Sequence, residues 1–349
     1  MAFLMRKIIA GIFLLSILVC FSEQASAQFH RKTIKKTNKR MANFKGNKSS
    51  FKNKGYSAVG FSVSALNYYG DIAPRPQRVS TDISFTRPAL GISLMHRFGP
   101  RYTFLGQFMY GTLKGSDAES ADAGDSENGK YRYQRNLSFR NRIKELSAVA
   151  YFDLFDNSQT YISRVQWTPY AYVGVAAFLH NPQAEAPAAL GGGWVDLEPL
   201  GTEGQYSTKL VATDANFGIK PYKKFQVAIP FGIGARFKLT EVIDLWGDIG
   251  FRYTFTDYLD DVSQNYVDLG VLDSPLAKAM SYRSGELSPA PTTSSYVGRD
   301  GATYSVLNGY GSEHPSNNRG SKNDRDIYMV TSVRITYILG AILHKAKFR

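Results

Sequence analysis

The chain has 349 residues, 43% apolar and 13% aromatic, with 22 Tyr, 22 Phe and 31 Gly. Its single cysteine, Cys20, falls in the leader described below, so the expected mature chain has no disulfide, no thiolate metal site and no thiol nucleophile. The formal net charge of +13 is uneven: ten basic residues and no acid lie in residues 28–54, leaving a near-neutral body and no support for nucleic-acid binding there.

At the start, Arg6 and Lys7 precede the apolar run Ile8–Phe21, which is too short for a comfortable membrane-spanning helix, and Ala25-Ser26-Ala27 follows. This order predicts a secretory signal over 1–27. A lipoprotein reading of Cys20 is weaker, because Val19 is bulkier than the small residue usual before a lipidated cysteine. Residues 28–54 are rich in Lys and Asn, lack apolar period and are expected to form a disordered periplasmic tail. Two readings of the tail stand together: an electrostatic arm for an acidic partner or anionic headgroups, and a solvated linker.

Beyond Lys54 the pattern has period two, the mark of a strand with one greasy face. It is clearest over residues 225–263. There Phe225, Val227, Ile229, Phe231, Ile233 and Phe237 alternate with small or polar residues, and Ile249, Phe251, Tyr253 and Phe255 alternate with Asp248, Gly250, Arg252 and Thr254. Apolar residues backed by Gly, Asp and Arg predict a wall that faces lipid on one side and a polar lumen on the other. Strands are expected at about 55–69, 88–98, 102–113, 137–155, 165–180, 225–238, 244–256 and 326–339. The facing of the fifth is ambiguous, since both of its sides carry apolar residues.

An even number of strands lets a sheet close and removes its edges. The connections after the second, fourth and sixth strands are short and the others long, the asymmetry of periplasmic turns and extracellular loops. The expected fold is an all-β, eight-stranded antiparallel transmembrane β-barrel over 55–340, with a short basic periplasmic tail at 341–349. Its narrow interior should be filled by side chains, with Glu145, Arg236, Asp248, Arg252 and Arg334 pairing inside.

Catalysis finds little footing. Of the histidines, only His180 sits at the outer end of a strand, and a lone His is more often structural than catalytic. Asp257, Asp260 and Asp261 lack the spacing of a calcium loop and read better as acids capping turns where a strand leaves the wall. No phosphate-binding or dinucleotide fingerprint stands in the right context. The expectation is a non-enzymatic protein without cofactor or metal, in contact with outer-membrane lipids and with no nucleic-acid partner.

An ordered series of motifs lies at the loop edges. Asn67-Tyr68-Tyr69-Gly70-Asp71 ends the first strand, and Arg135 to Phe139 opens the fourth. Thr202-Glu203-Gly204-Gln205 lies in the third long loop, and Asp257-Tyr258-Leu259-Asp260-Asp261 follows the seventh strand. This series resembles the PorG-like outer-membrane barrels of the type IX secretion system of Bacteroidota, over roughly residues 56–340. The resemblance implies an accessory or anchoring barrel, linked to the periplasmic ring of the lipoprotein PorK and its partner PorN, in a machine for protein secretion and gliding. The 28–54 arm matches no motif of that family, and the chain ends Lys-Phe-Arg rather than on a terminal aromatic. A second expectation, motivated by the long 181–222 and 257–325 loops, is a barrel for envelope stability or surface-ligand binding.

Overall fold

The computed structural model describes residues 54–72, 83–126, 129–287, 293–322 and 324–340. The expected signal, the basic tail up to residue 53 and the 341–349 tail lie outside the described residues. Eight long strands form the wall: β1 (Tyr56–Tyr69), β2 (Arg87–Arg97), β3 (Tyr102–Ser116), β4 (Ser138–Asp153), β5 (Trp167–Leu179), β6 (Phe225–Lys238), β7 (Ile243–Thr254) and β8 (Ile327–Ile338). Each pairs antiparallel with its sequence neighbours, and β8 pairs with β1, so the sheet is a closed barrel without a free edge.

The alternation places its apolar residues outward. Ile92, Leu94, Leu146, Val175 and Ile233 are each more than 60% exposed, and they form one continuous ring with Phe61, Phe104, Phe231 and Ile335. An exposed apolar surface of that extent has no place in water and fits the hydrocarbon of a bilayer. Aromatic residues crowd its lower rim: Tyr102 stacks on Phe98 with centroids 6.0 Å apart and packs against Phe152 at 5.6 Å.

The inward face is greasier than the small-or-polar pattern suggested. A lower cluster holds Leu105, Val149, Tyr151, Tyr170, Tyr172 and Trp246, and an upper one holds Leu66, Met109, Phe139, Ile143, Phe178 and Tyr328. An eight-stranded wall leaves room for little but side chains, and bulky residues fill it between the charged layers. This settles β5, where Val173 and Val175 face lipid while Tyr170, Tyr172 and Phe178 face in. It also gives the inward glycines of β6 and β7 a reason. A Cβ on Gly250 would lie 1.9 Å from the Tyr172 hydroxyl oxygen, so glycine there makes space for the tyrosine.

The long connections carry more structure than their polar, aperiodic sequence indicated. Short helices run over Asp117–Ser120 and Gly129–Arg135, and strand β3 continues to Ser116 against Ser138, above the amphipathic stretch. Pro182–Glu185 and Trp194–Asp196 form a hairpin that extends the wall outward through the pair Arg140 and Gln183. The last loop holds the helix Pro275–Ser281, capped by Ser274, and a hairpin of Thr293–Val297 with Thr303–Leu307. These segments are too short for a period to stand out of the sequence.

Candidate functional site: a filled lumen under a sealed outer cap

Three charged layers cross the lumen. At the floor, Asp153 Oδ2 accepts from Arg97 Nη1 at 2.6 Å and from Arg236 Nη2 at 2.7 Å. In the middle, Asp248 accepts from Ser332 at 2.8 Å and from the Tyr170 hydroxyl at 3.1 Å, while Arg334 donates to Gln107 at 2.7 Å and to Tyr151 at 3.2 Å. Higher up, Arg252 Nε sits 3.2 Å from both oxygens of Glu145, which also accepts from Tyr328 at 2.6 Å. All five charges expected inside therefore lie inside. Of the expected pairing only Glu145 with Arg252 forms: Arg236 takes Asp153, and Asp248 and Arg334 meet hydroxyls and an amide, with Arg334 Nε buried and without a partner among the described residues. Trp246 roofs the floor layer, with the Arg236 guanidinium 4.9 Å from its ring.

Arg164 enters the lower mouth from the turn between β4 and β5. Its Nε and Nη2 donate to Asp244 at 2.9 and 2.6 Å, and its other donors reach the carbonyls of Tyr161, Thr240 and Glu241. Both side chains are buried. One guanidinium thus ties two periplasmic turns together.

At the outer mouth the loop-edge motifs, scattered over nearly two hundred residues of sequence, converge. Asn67 donates to Thr86 at 2.7 Å. Tyr68 packs edge-on against Phe139 at 4.9 Å and donates to Asp326, which also accepts from the Leu259 amide. Asp71 accepts from the Ser321 amide at 3.0 Å, and Asp260 accepts from the amides of Ile72 and Val262. Arg135 grips Asp117 at 2.7 and 2.8 Å and donates to the carbonyls of Asp71 and Arg319. Glu203 caps the turn at Ser263 and Gln264 and meets Arg319, which also reaches Asp261. Asp261 takes further donors from Thr202 and Tyr222, and Tyr222 stacks on Tyr258 at 4.6 Å. The Gln205 side chain accepts from the Glu203 amide at 3.0 Å. Gly70 is required by this crowding, since a Cβ there would lie 2.0 Å from both Asp326 and the Tyr68 hydroxyl.

Asp261 adopts a left-handed backbone, φ 69°, which a non-glycine residue holds only when its surroundings fix it. Burial pushes the Asp71 and Asp261 carboxyls up to about 6 and Asp257 up to about 9. Asp260 and Asp326 are driven well up by burial and by neighbouring acids. The cap is a buried acidic knot held by arginines and backbone amides. Among the described residues, no group of His, Cys, Asp and Glu is placed to hold a metal ion.

His180 lies at the edge of this cap with 2% of its surface exposed. Its Nε2 donates to the Lys223 carbonyl at 3.2 Å and its Nδ1 lies 3.4 Å from the Asn141 side-chain amide, a pairing for the neutral ring. Burial lowers it to about 4. Its ring packs between Phe178 and Tyr222, with centroids 5.8 and 6.0 Å away.

The chain is an integral outer-membrane β-barrel. The apolar belt, the closed wall and the long-loop end opposite the short-turn end together decide it. A family model described as Domain of unknown function (DUF6089) matches residues 47–185. No curated protein sequence matches the chain. Solved structures similar to it include the attachment invasion locus protein Ail of Yersinia pestis, at 7% identity over 82% of this chain and 99% of that one, TM-score 0.31. The N-terminal β-barrel domain of Pseudomonas aeruginosa OprF matches at 8% identity over 81% and 99%, TM-score 0.30. A major outer membrane protein from Thermus thermophilus matches at 12% identity over 81% and 99%, TM-score 0.33.

Several members of these networks stood outside the expected charge set, although alternation places Arg97 and Asp153 on the inward side. Asp326, directly before β8, could have been found as one more acid at a strand end. Arg319, Asp117 and Arg164 had no signal, because each sits in a connection without period and meets partners far away in the chain.

Proposed function

We propose that this barrel is a non-enzymatic, anchoring component of type IX protein secretion and gliding machinery, of the PorG-like kind. One observation carries the reading: the loop-edge residues on which the resemblance rests form a single buried knot over a filled lumen. A lumen filled by side chains beneath such a knot suits a membrane-held fixture better than a conduit. Its contact surface with a periplasmic ring of the PorK and PorN kind would be the short turns and the basic 28–54 arm. Lys54, the last residue of that arm, donates to the Ser158 carbonyl in the β4–β5 turn at 2.9 Å, so the arm starts from the turn surface itself.

The test has two parts. A clean deletion should abolish secretion of type IX cargo. Affinity purification of the full chain should recover ring components, and removal of 28–54 should weaken that recovery; equal recovery would take the arm out of the contact.

A second reading has its own support. The outer loops build an apolar core of their own, with Val267, Leu269, Val271, Leu272, Ala277 and Val306, and so present a firm outer surface suited to a surface ligand or to envelope stability. Normal cargo secretion with altered envelope integrity in the deletion strain would favour it over the first.

A further inference from the structure

The lipid-facing side of β4 changes character abruptly. Rising from the periplasmic end, its outward residues are Phe152, Ala150, Ala148 and Leu146, followed by Lys144, Arg142 and Arg140. From Phe152 to Lys144 the strand climbs about 20 Å along the membrane normal, taking ~3.3 Å per residue and a ~40° tilt. Lys144 and Arg142 therefore stand at the upper edge of a belt about 25 Å tall, where headgroups begin.

The neighbouring cations are spoken for. Arg140 donates to Gln183 at 3.0 Å and lies 3.8 Å over the Trp194 ring, and Lys114 pairs with Glu119 at 2.9 Å. Lys224 is 3.5 Å from Glu198. Arg142 and Lys144 are exposed, and no hydrogen bond or ion pair reaches either side chain among the described residues. Two like charges two residues apart on one face repel unless an anion joins them.

Register completes the site. Lys144 stands opposite Leu179, which stands opposite Phe225, and the His180 amide bonds the Lys224 carbonyl at 2.9 Å. Lys224 is thereby brought across β5 toward Arg142. The three cations line one open cleft of about 320 Å³ with Leu179 and Gln183. Directly below lie Leu146, Val175 and Val227, all exposed on the wall.

We propose that Arg142 and Lys144 form an outer-wall site for a phosphate monoester carried by an outer-leaflet lipid, in a cleft whose far side is closed by Lys224 on its carboxylates Glu198 and Asp196, with the acyl chains along Leu146, Val175 and Val227. Arginine offers a fork of donors to phosphate oxygens and lysine a compact charge, and the low-dielectric wall beneath strengthens both. The long-loop end of the barrel faces the outer leaflet, so the lipid is one found there.

The experiment uses the full chain in phosphatidylcholine nanodiscs. These contain bisphosphorylated lipid A, fully dephosphorylated lipid A, or inorganic phosphate without lipid A. Bound lipid is read by native mass spectrometry and the unfolding midpoint by heat-modifiable gel migration, which also reports folding. Bisphosphorylated lipid A should be retained and raise the midpoint. The Arg142→Ala/Lys144→Ala double variant should lose about tenfold or more in retention, a change expected when charge-assisted bonds to phosphate go. Lys220→Ala, an exposed cation elsewhere on the loops, should behave as the parent. Equal retention by the double variant, or of dephosphorylated lipid A by the parent, would overturn the site. A full midpoint shift from inorganic phosphate alone would also overturn it, making a free anion and not a headgroup the ligand.

Discussion

Arg319 and Glu203, 116 residues apart in the chain, meet at 3.0 Å inside the outer cap, and neither side chain touches solvent to any real extent. The same guanidinium reaches Asp261 at 3.4 Å. Replacing it by Arg319→Met leaves two buried carboxylates without their cation, a loss of about 3–5 kcal/mol for pairs of this kind. Proteases should then cut the 181–222 and 257–325 loops while the wall keeps its heat-modifiable migration. Adding Glu203→Gln should return part of the resistance, as a double-mutant cycle requires of coupled neighbours. Unchanged resistance in Arg319→Met would mean the pair does not hold the cap.

The cap should respond to pH in a defined direction. Folded-state values of about 6 for Asp71 and Asp261 and about 9 for Asp257 stand above the ~3.9 of an unfolded Asp. A raised value means the folded cap favours the protonated acid; that contribution is complete below about pH 4 and is lost as pH rises through the folded value. The cap should loosen progressively from about pH 4, less steeply past about 6, and level off past about 9. Asp257→Asn should bring the levelling down to about 6. Hydrogen-exchange protection factors at residues 257–264 report this, and flat profiles between about pH 5 and about pH 10 would contradict it.

His180 pulls the other way. Its value is lowered to about 4 by burial, so its contribution is whole above about 6.5 and falls away as pH drops toward 4. His180→Ala leaves the Lys223 carbonyl and the Asn141 amide short of a partner and should cost about 1–3 kcal/mol at the outer rim. The variant should keep whatever secretion activity the parent has. Its acid sensitivity, followed by urea unfolding at several pH values, should be smaller.

Within the wall, Glu145→Ala would strand Arg252 in the lumen and strip Tyr328 of its acceptor. The expected cost is about 3–5 kcal/mol in urea unfolding from lipid. The pair Glu145→Leu/Arg252→Met, which removes both charges, should cost less than either single truncation. If the double change is as damaging as the sum of the singles, the ion pair is not the relevant term.

The wall was legible because period-two alternation is local: Phe231, Ile233 and Ile249 announce their side of the sheet within a few residues. Inward charges such as Glu145 and Arg252 followed from parity alone. The partners did not, since Arg236 finds Asp153 across the lumen, and which inward residues share a level depends on the shear of the closed barrel. The lumen's aromatic filling blurred β5, where Tyr170 and Tyr172 look as apolar as the lipid-facing Val173 and Val175. The cap was visible only as a string of motifs. Nothing local in Glu203 or Arg319 says that they meet, because loops that fold on one another leave no period behind.

Arg164 gives the barrel a mechanical property. Its turn is pinned to Asp244 and to the carbonyls of the next periplasmic turn by buried bonds, all from one side chain. A pull applied to that turn from the periplasm does not stretch a slack loop. It is handed through Asp244 into strand β7 and shared around a ring with no end, so the wall bears the load as a hoop does.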